Sequence, residues 1–86
     1  MKRLLKRNYK SIVKRGLITK DTTLTDFLIK LDEEVNELNL SVDFEENTFD
    51  KLELADIILT CMNMAYHYDI DIIKQLEKKI KINENR

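Results

Sequence analysis

The sequence predicts an all-α fold, a helical bundle of about four helices per chain. Among 86 residues there is one glycine, Gly16, and no proline. Such a chain lacks the residues that shape the many tight turns of a sandwich or barrel. Its apolar residues also recur by threes and fours in four separate stretches, the period of an amphipathic helix. Polar stretches with capping residues lie between them, and no internal repeat or low-complexity tract divides the chain. One domain over residues 1–86 follows, since this length suffices for one small core and not two.

The first helix is expected over roughly residues 2–15, with Leu4, Leu5, Tyr9, Ile12 and Val13 at helical spacing and bases between them. Gly16 supplies its stop. Residues 17–23 read as a loop offering Thr22, Thr23 or Thr25 as a cap. A second helix runs from Leu24 to about Leu40 on the stripe Leu24, Phe27, Leu28, Leu31, Val35 and Leu38.

Residues 41–48 are polar and irregular, and Thr48 is the expected N-cap of a third helix reaching about Tyr68. In that helix Leu54, Ile57, Ile58, Cys61, Met62, Met64, Ala65 and Tyr66 cover most of the circumference. A helix so apolar is expected to be buried nearly all round. A chain this short struggles to enclose it, so the bundle is expected to be completed by homo-oligomerisation. Asp69 or Asp71 then caps a fourth helix with the stripe Ile72, Ile73, Leu76 and Ile80.

The near-neutral net charge of −1 hides a segregation of sign. Residues 1–20 carry eight bases and no acid, whereas residues 21–56 carry twelve acids against Lys30 and Lys51. A lone cysteine, Cys61, can form no internal disulfide, and it reads as a small buried apolar residue. A reducing cytoplasm is the expected compartment. No secretory h-region opens the sequence and no apolar run approaches the ~20 residues of a membrane span, so no membrane partner is expected.

One narrow strip of the third helix is polar: Glu53, Asp56, Thr60, Asn63 and His67. On the second helix Glu34 and Glu37 flank the apolar stripe with Lys30 between them in angle, and Glu33 points further toward solvent. If the two helices form a hairpin around 41–48, heights can be compared at ~1.5 Å per residue. Glu37 and Glu34 sit roughly 5–9 Å before the loop, and Glu53 and Asp56 roughly 7–12 Å after it. Four carboxylates at one level repel and raise one another's pKa. A hard divalent cation removes that penalty, and an oxygen-only ligand set favours Mg²⁺ or Mn²⁺ over Zn²⁺. Against this stands the plainer reading that the acids are solvated helix positions, which suits Glu33 taken alone.

The run Glu33-Glu34-Val35-Asn36-Glu37, followed after fifteen residues by Glu53-Leu54-Ala55-Asp56, resembles the EExxE…ExxD signature of the MazG-like all-α nucleoside triphosphate pyrophosphohydrolases. The ending Lys79-Ile80-Lys81-Ile82-Asn83-Glu84-Asn85-Arg86 is similar to the KxxxNxxR close of many members. The resemblance spans about residues 20–86. It implies a catalytic core over 21–86, preceded by a basic N-terminal helix or arm over 1–20 that is not part of the signature.

The activity so implied is Mg²⁺-dependent hydrolysis of an NTP or dNTP to the monophosphate and pyrophosphate, in a homodimer or homotetramer. By position Glu34, Glu37, Glu53 and Asp56 match the metal ligands. Glu33 matches the extra acid, a ligand or a water-orienting base; Glu33 and Glu34 are the expected catalytic pair. Lys30, Lys79, Asn83 and Arg86 are the expected phosphate contacts, the last three on one face of the fourth helix. Without the family, those three read as a basic last turn favouring the helix dipole.

The chain has no tryptophan and no obvious base-stacking pair, so no nucleobase pocket is identifiable. His67 reads as a surface or capping residue, and Met62 and Met64 as core gap-fillers. No glycine-rich phosphate loop is present. Three alternatives stand beside the pyrophosphohydrolase: a phosphoribosyl-ATP pyrophosphohydrolase, a non-enzymatic oligomerisation bundle, and a nucleic-acid-binding module using the basic arm. The acidic middle of the chain argues against the last.

Overall fold

The computed structural model describes residues 2–86, the side chains of Lys2 and Leu5 excepted, so the place expected for Leu5 on the first apolar stripe lies outside the described residues. Four helices follow one another: α1 (Lys2–Lys14), α2 (Leu24–Ser41), α3 (Lys51–His67) and α4 (Ile72–Glu84). The fold is all-α, and among the described residues β-pairing is confined to one isolated bridge between Asp43 and Thr48.

Local chemistry sets each boundary. Beyond α1, Gly16 adopts a left-handed φ of 73°. Its N–H reaches the Val13 carbonyl at 2.9 Å, and the Leu17 N–H reaches Ile12 at 3.2 Å. This pair of bonds closes the last turn and needs a residue that tolerates positive φ. Thr23 caps α2 through a reciprocal box: the Asp26 N–H donates to Thr23 Oγ1 and the Thr23 N–H donates to Asp26 Oδ2, which satisfies two otherwise unpaired helix donors.

The α2–α3 connection is tighter than its polar composition suggests. Asp43 and Thr48 exchange both backbone hydrogen bonds, at 2.9 and 3.1 Å. The Asp43 carboxylate accepts from the Glu45 and Glu46 N–H groups inside that turn. Thr48 is therefore committed to the turn and is not the N-cap of the third helix. Asp50 takes that role, accepting from the Leu52 N–H at 2.9 Å. Ser41 Oγ donates to the Leu38 carbonyl and accepts from the Asp50 N–H, clipping the end of α2 to the start of α3. The hairpin register is thus fixed by hydrogen bonds at the loop itself.

At the far end of α3, Asp69 takes the left-handed position (φ 54°) that ends the helix, and Asp71 caps α4. Both residues were candidate caps, and they divide the work of leaving one helix and entering the next.

The packed pairs are α2 with α3 and α1 with α3. Buried apolar residues are few among the described residues: Phe27 on α2, Met62 and Ala65 on α3, and Ile18 in the α1–α2 connection. A ring cluster joins the same three helices. Tyr9 packs against Tyr66 with ring centroids 4.6 Å apart and planes tilted by 43°, while the His67 ring lies 5.0 Å from both Phe27 and Tyr68. His67 Nδ1 is 2.7 Å from the Tyr9 hydroxyl, so this histidine is a half-buried packing residue and not a surface one.

α3 is only partly covered. Met62, Asn63 and Ala65 are buried, but Leu52 is 74 % exposed, and Leu54, Ile58, Cys61 and Tyr66 also meet solvent. The expected all-round burial and the buried Cys61 are not found within one chain, because α1 and α2 cover two flanks of α3 and α4 does not cover a third. Helix α4 has no buried residue, and Ile80 on its apolar stripe is 56 % exposed. The radius of gyration, 14.9 Å, exceeds the roughly 12 Å of a compact chain of this length, as an unpacked helix requires.

Candidate metal centre and adjoining cavity

The clipped hairpin brings Glu34 and Glu37 of α2 level with Glu53 and Asp56 of α3. Each of the four offers one carboxylate oxygen, and these oxygens all lie within 4.8 Å of one another. Oxygens on opposite sides of a common Mg²⁺ are about 4.2 Å apart, and about 4.8 Å for Ca²⁺. The cluster is therefore near the size of a single ligand sphere.

Its burial is graded. Glu34 is 6 % exposed, Glu53 is half-buried, and Glu37 and Asp56 face solvent. Partial burial pushes the Glu53 carboxyl above the usual carboxylate range, and the neighbouring Glu37, Asp56 and Asp50 push it further the same way. Lys30 is the local counter-charge: its Nζ lies 2.9 Å from Glu34 Oε1 and 3.7 Å from Glu33 Oε2. The hydrogen bond to Glu34 holds the Lys30 ammonium above its ordinary pKa, against the opposing effect of burial.

That single cation leaves the cluster incomplete. Glu34 Oε2 and Glu53 Oε2 are buried without any hydrogen-bond partner. Buried polar atoms are ordinarily satisfied, so each exception needs an explanation. Two orphaned carboxylate oxygens from different helices, within an oxygen-only donor set, fit a hard divalent cation.

Beside the cluster lies a half-open cavity of about 630 Å³, which falls in the range of small-molecule sites. Glu33, Glu34, Asp56 and Lys30 form its charged side. Glu33, expected as a catalytic acid, stands outside the four-oxygen cluster but on the cavity wall. Lys79 and Asn83 are exposed on α4, Arg86 is exposed beyond its C-terminal end and so not on the expected helix face, and none of the three lines this cavity; one chain does not bring them to the acids.

Sequence reasoning missed the opposite wall. Asn8, Ile12 and Arg15, with Leu17 and Ile18, bring the basic N-terminal segment to the cavity. The only hint was Asn63, a polar interruption of an apolar helix, which accepts a 2.7 Å hydrogen bond from Asn8 Nδ2. The polar strip of α3 is used along its length: Glu53 and Asp56 face α2, and Asn63 and His67 reach α1.

Fold and site together define an all-α protein with a candidate divalent-cation centre on the wall of an open cavity. No protein-family model, curated protein or solved structure matches the chain.

Proposed function

We propose that the chain is a Mg²⁺- or Mn²⁺-dependent nucleoside triphosphate pyrophosphohydrolase, acting in the cytoplasm on the nucleotide pool. The observation that carries the reading is the pair of orphaned buried oxygens on Glu34 and Glu53 within a four-carboxylate cluster beside a small-molecule cavity. The resemblance of residues 33–37 and 53–56 to the MazG-like signature supports the same choice. No helix among the described residues is long and apolar enough to cross a membrane.

Glu34, Glu37, Glu53 and Asp56 would hold the cation, which when bound supplies charge neutralisation and polarisation of phosphoryl oxygens. Lys30, bonded to Glu34 on the cavity wall, would exchange that bond for a substrate phosphate oxygen. Glu33, exposed on the wall, would orient a water and accept its proton. That water forms the new bond to the α-phosphorus, the α–β bridging P–O bond breaks, and pyrophosphate leaves. A homodimer or homotetramer suits the thin core and the uncovered faces of α3 and α4. It would also offer Lys79, Asn83 and Arg86 a route to a neighbouring site.

The test is pyrophosphate release across a panel of NTPs and dNTPs with Mg²⁺ or Mn²⁺. Turnover of at least one substrate is expected, and it should vanish in Glu53→Gln and Asp56→Asn with helical content unchanged. Absence of turnover with every substrate and both metals would overturn the assignment.

A further inference from the structure

The cavity is not lined by acids alone. Besides the acidic wall already described, Asn8 and Asn63 line the same space, as do Ile12, Arg15, Leu17 and Ile18. Asn63 is 7 % exposed, an unusual place for an amide on an otherwise apolar helix. A side-chain amide carries two N–H donors and an accepting oxygen. The Asn8–Asn63 bond uses one N–H and one oxygen. Whichever way the two amides are oriented, the pair retains unspent donors and an acceptor. The hydrogen bonds of the described residues give these remaining groups no partner, and both asparagines line the cavity.

An amide donor–acceptor pair in a cavity also lined by aliphatic Ile12, Leu17 and Ile18, with Arg15 as the one base of that wall, matches the chemistry of a nucleobase, whose rim alternates donors and acceptors and whose faces are apolar. Asn63 follows Asp56 by seven residues on α3, about 10 Å along the axis. That spacing leaves room for a sugar between a base at the amide pair and a phosphate at the acids. We propose that this part of the cavity is the nucleobase subsite, with Asn8 and Asn63 reading the base edge and Ile12, Leu17 and Ile18 packing on its faces. The inference rests on the reading of the substrate as a nucleoside triphosphate. It gives the N-terminal segment a role as the wall that contacts the nucleoside part of the substrate.

The experiment follows the side-chain amide signals of Asn8 and Asn63 in the ¹⁵N-labelled full chain. Three sets of probes are added: deoxynucleosides alone, dNTPs with Mg²⁺, and tripolyphosphate with Mg²⁺. At least one dNTP and its deoxynucleoside should shift both amides, while tripolyphosphate should shift only backbone signals around Glu34 and Asp56. Asn8→Ala should weaken that dNTP about tenfold, the loss of one hydrogen bond, and leave tripolyphosphate affinity unchanged. A dNTP that binds without moving the amides overturns the subsite and leaves the hydrolase reading intact. Deoxynucleosides that shift the amides while neither triphosphate binds support the base pocket and overturn the hydrolase reading. Failure of all three probes to bind overturns both.

Discussion

Loading the carboxylate cluster should stabilise the fold, and the size of the effect can be worked out. In the metal-free chain Glu34 Oε2 and Glu53 Oε2 are buried without partners, and Lys30 is the one cation within 4 Å of Glu34 among the described residues. A cation that binds these oxygens in the folded state and finds no preformed site in the unfolded one adds RT ln(1 + [L]/Kd). That is about 2.7 kcal/mol at a hundredfold excess over Kd. For a domain of this size each kcal/mol moves Tm by roughly 4–8 °C, so a rise of about 11–22 °C is expected. The assay is thermal melting by far-UV circular dichroism across a Mg²⁺ or Mn²⁺ titration, with NaCl at matched ionic strength as the reference. The reference is essential because salt alone screens repulsion among four carboxylates. Glu34→Gln and Glu53→Gln should each lose most of the metal-specific rise. A wild-type rise no larger than the NaCl reference, or an equal rise in Glu53→Gln, would refute the reasoning.

Three further outcomes are expected. Because burial and then its acidic neighbours raise the Glu53 pKa, the folded state holds that proton more tightly than the unfolded one. Metal-free stability should therefore fall as pH rises from the ordinary glutamate value of about 4.3 through the raised folded value. The cation competes with the same proton, so its apparent affinity should climb over that window, which Mn²⁺ titration at stepped pH would read. Asp26 shifts the opposite way: the Thr23 N–H hydrogen bond, then the Thr23 side chain, lower its pKa. The stability from this contact should be present above the ordinary aspartate value of about 3.9 and disappear as pH falls through the lower folded one. Thr23→Ala should cost about 1 kcal/mol at neutral pH by chemical denaturation. Gly16→Ala should cost about 1–2 kcal/mol in the same measurement; an added Cβ would meet nothing within 4 Å, so the penalty is the left-handed φ of 73° alone.

Features set by neighbours in sequence were legible, and features set by distant contacts were not. Gly16 as a stop and Thr23 and Asp71 as caps follow from local hydrogen bonding, and each stands where a candidate was placed. Thr48 misled because its backbone is claimed by Asp43 across the turn, a pairing that residue type does not announce. The meeting of Glu34 and Glu37 with Glu53 and Asp56 could be anticipated, because a short hairpin leaves little freedom in relative height. The contribution of Asn8, Ile12 and Arg15 to the cavity could not. It depends on α1 returning to pack on α3 from more than fifty residues away, through the Asn8–Asn63 bond and the Tyr9 contacts with Tyr66 and His67. The exposure of Cys61 and of α4 was hidden for the same reason, since periodicity shows that a face is apolar and not what covers it.

The arrangement of α3 explains why the acids and the amide pair are rigidly spaced despite a thin core. Glu53, Asp56, Thr60, Asn63 and His67 share one strip of a single helix, and Thr60 Oγ1 bonds back to the Asp56 carbonyl within it. The strip is clamped at both ends: Ser41 and Asp50 fix the hairpin beside the carboxylates, and the Tyr9–His67 contact fixes α1 beside the amides. Displacing α1 should therefore open the Asn8 side of the cavity while leaving the four-carboxylate cluster, held by α2 and α3 alone, in place. On the proposed function, cation binding and recognition of the remainder of a ligand would then be separable, resting on two helix pairs that meet on one helix.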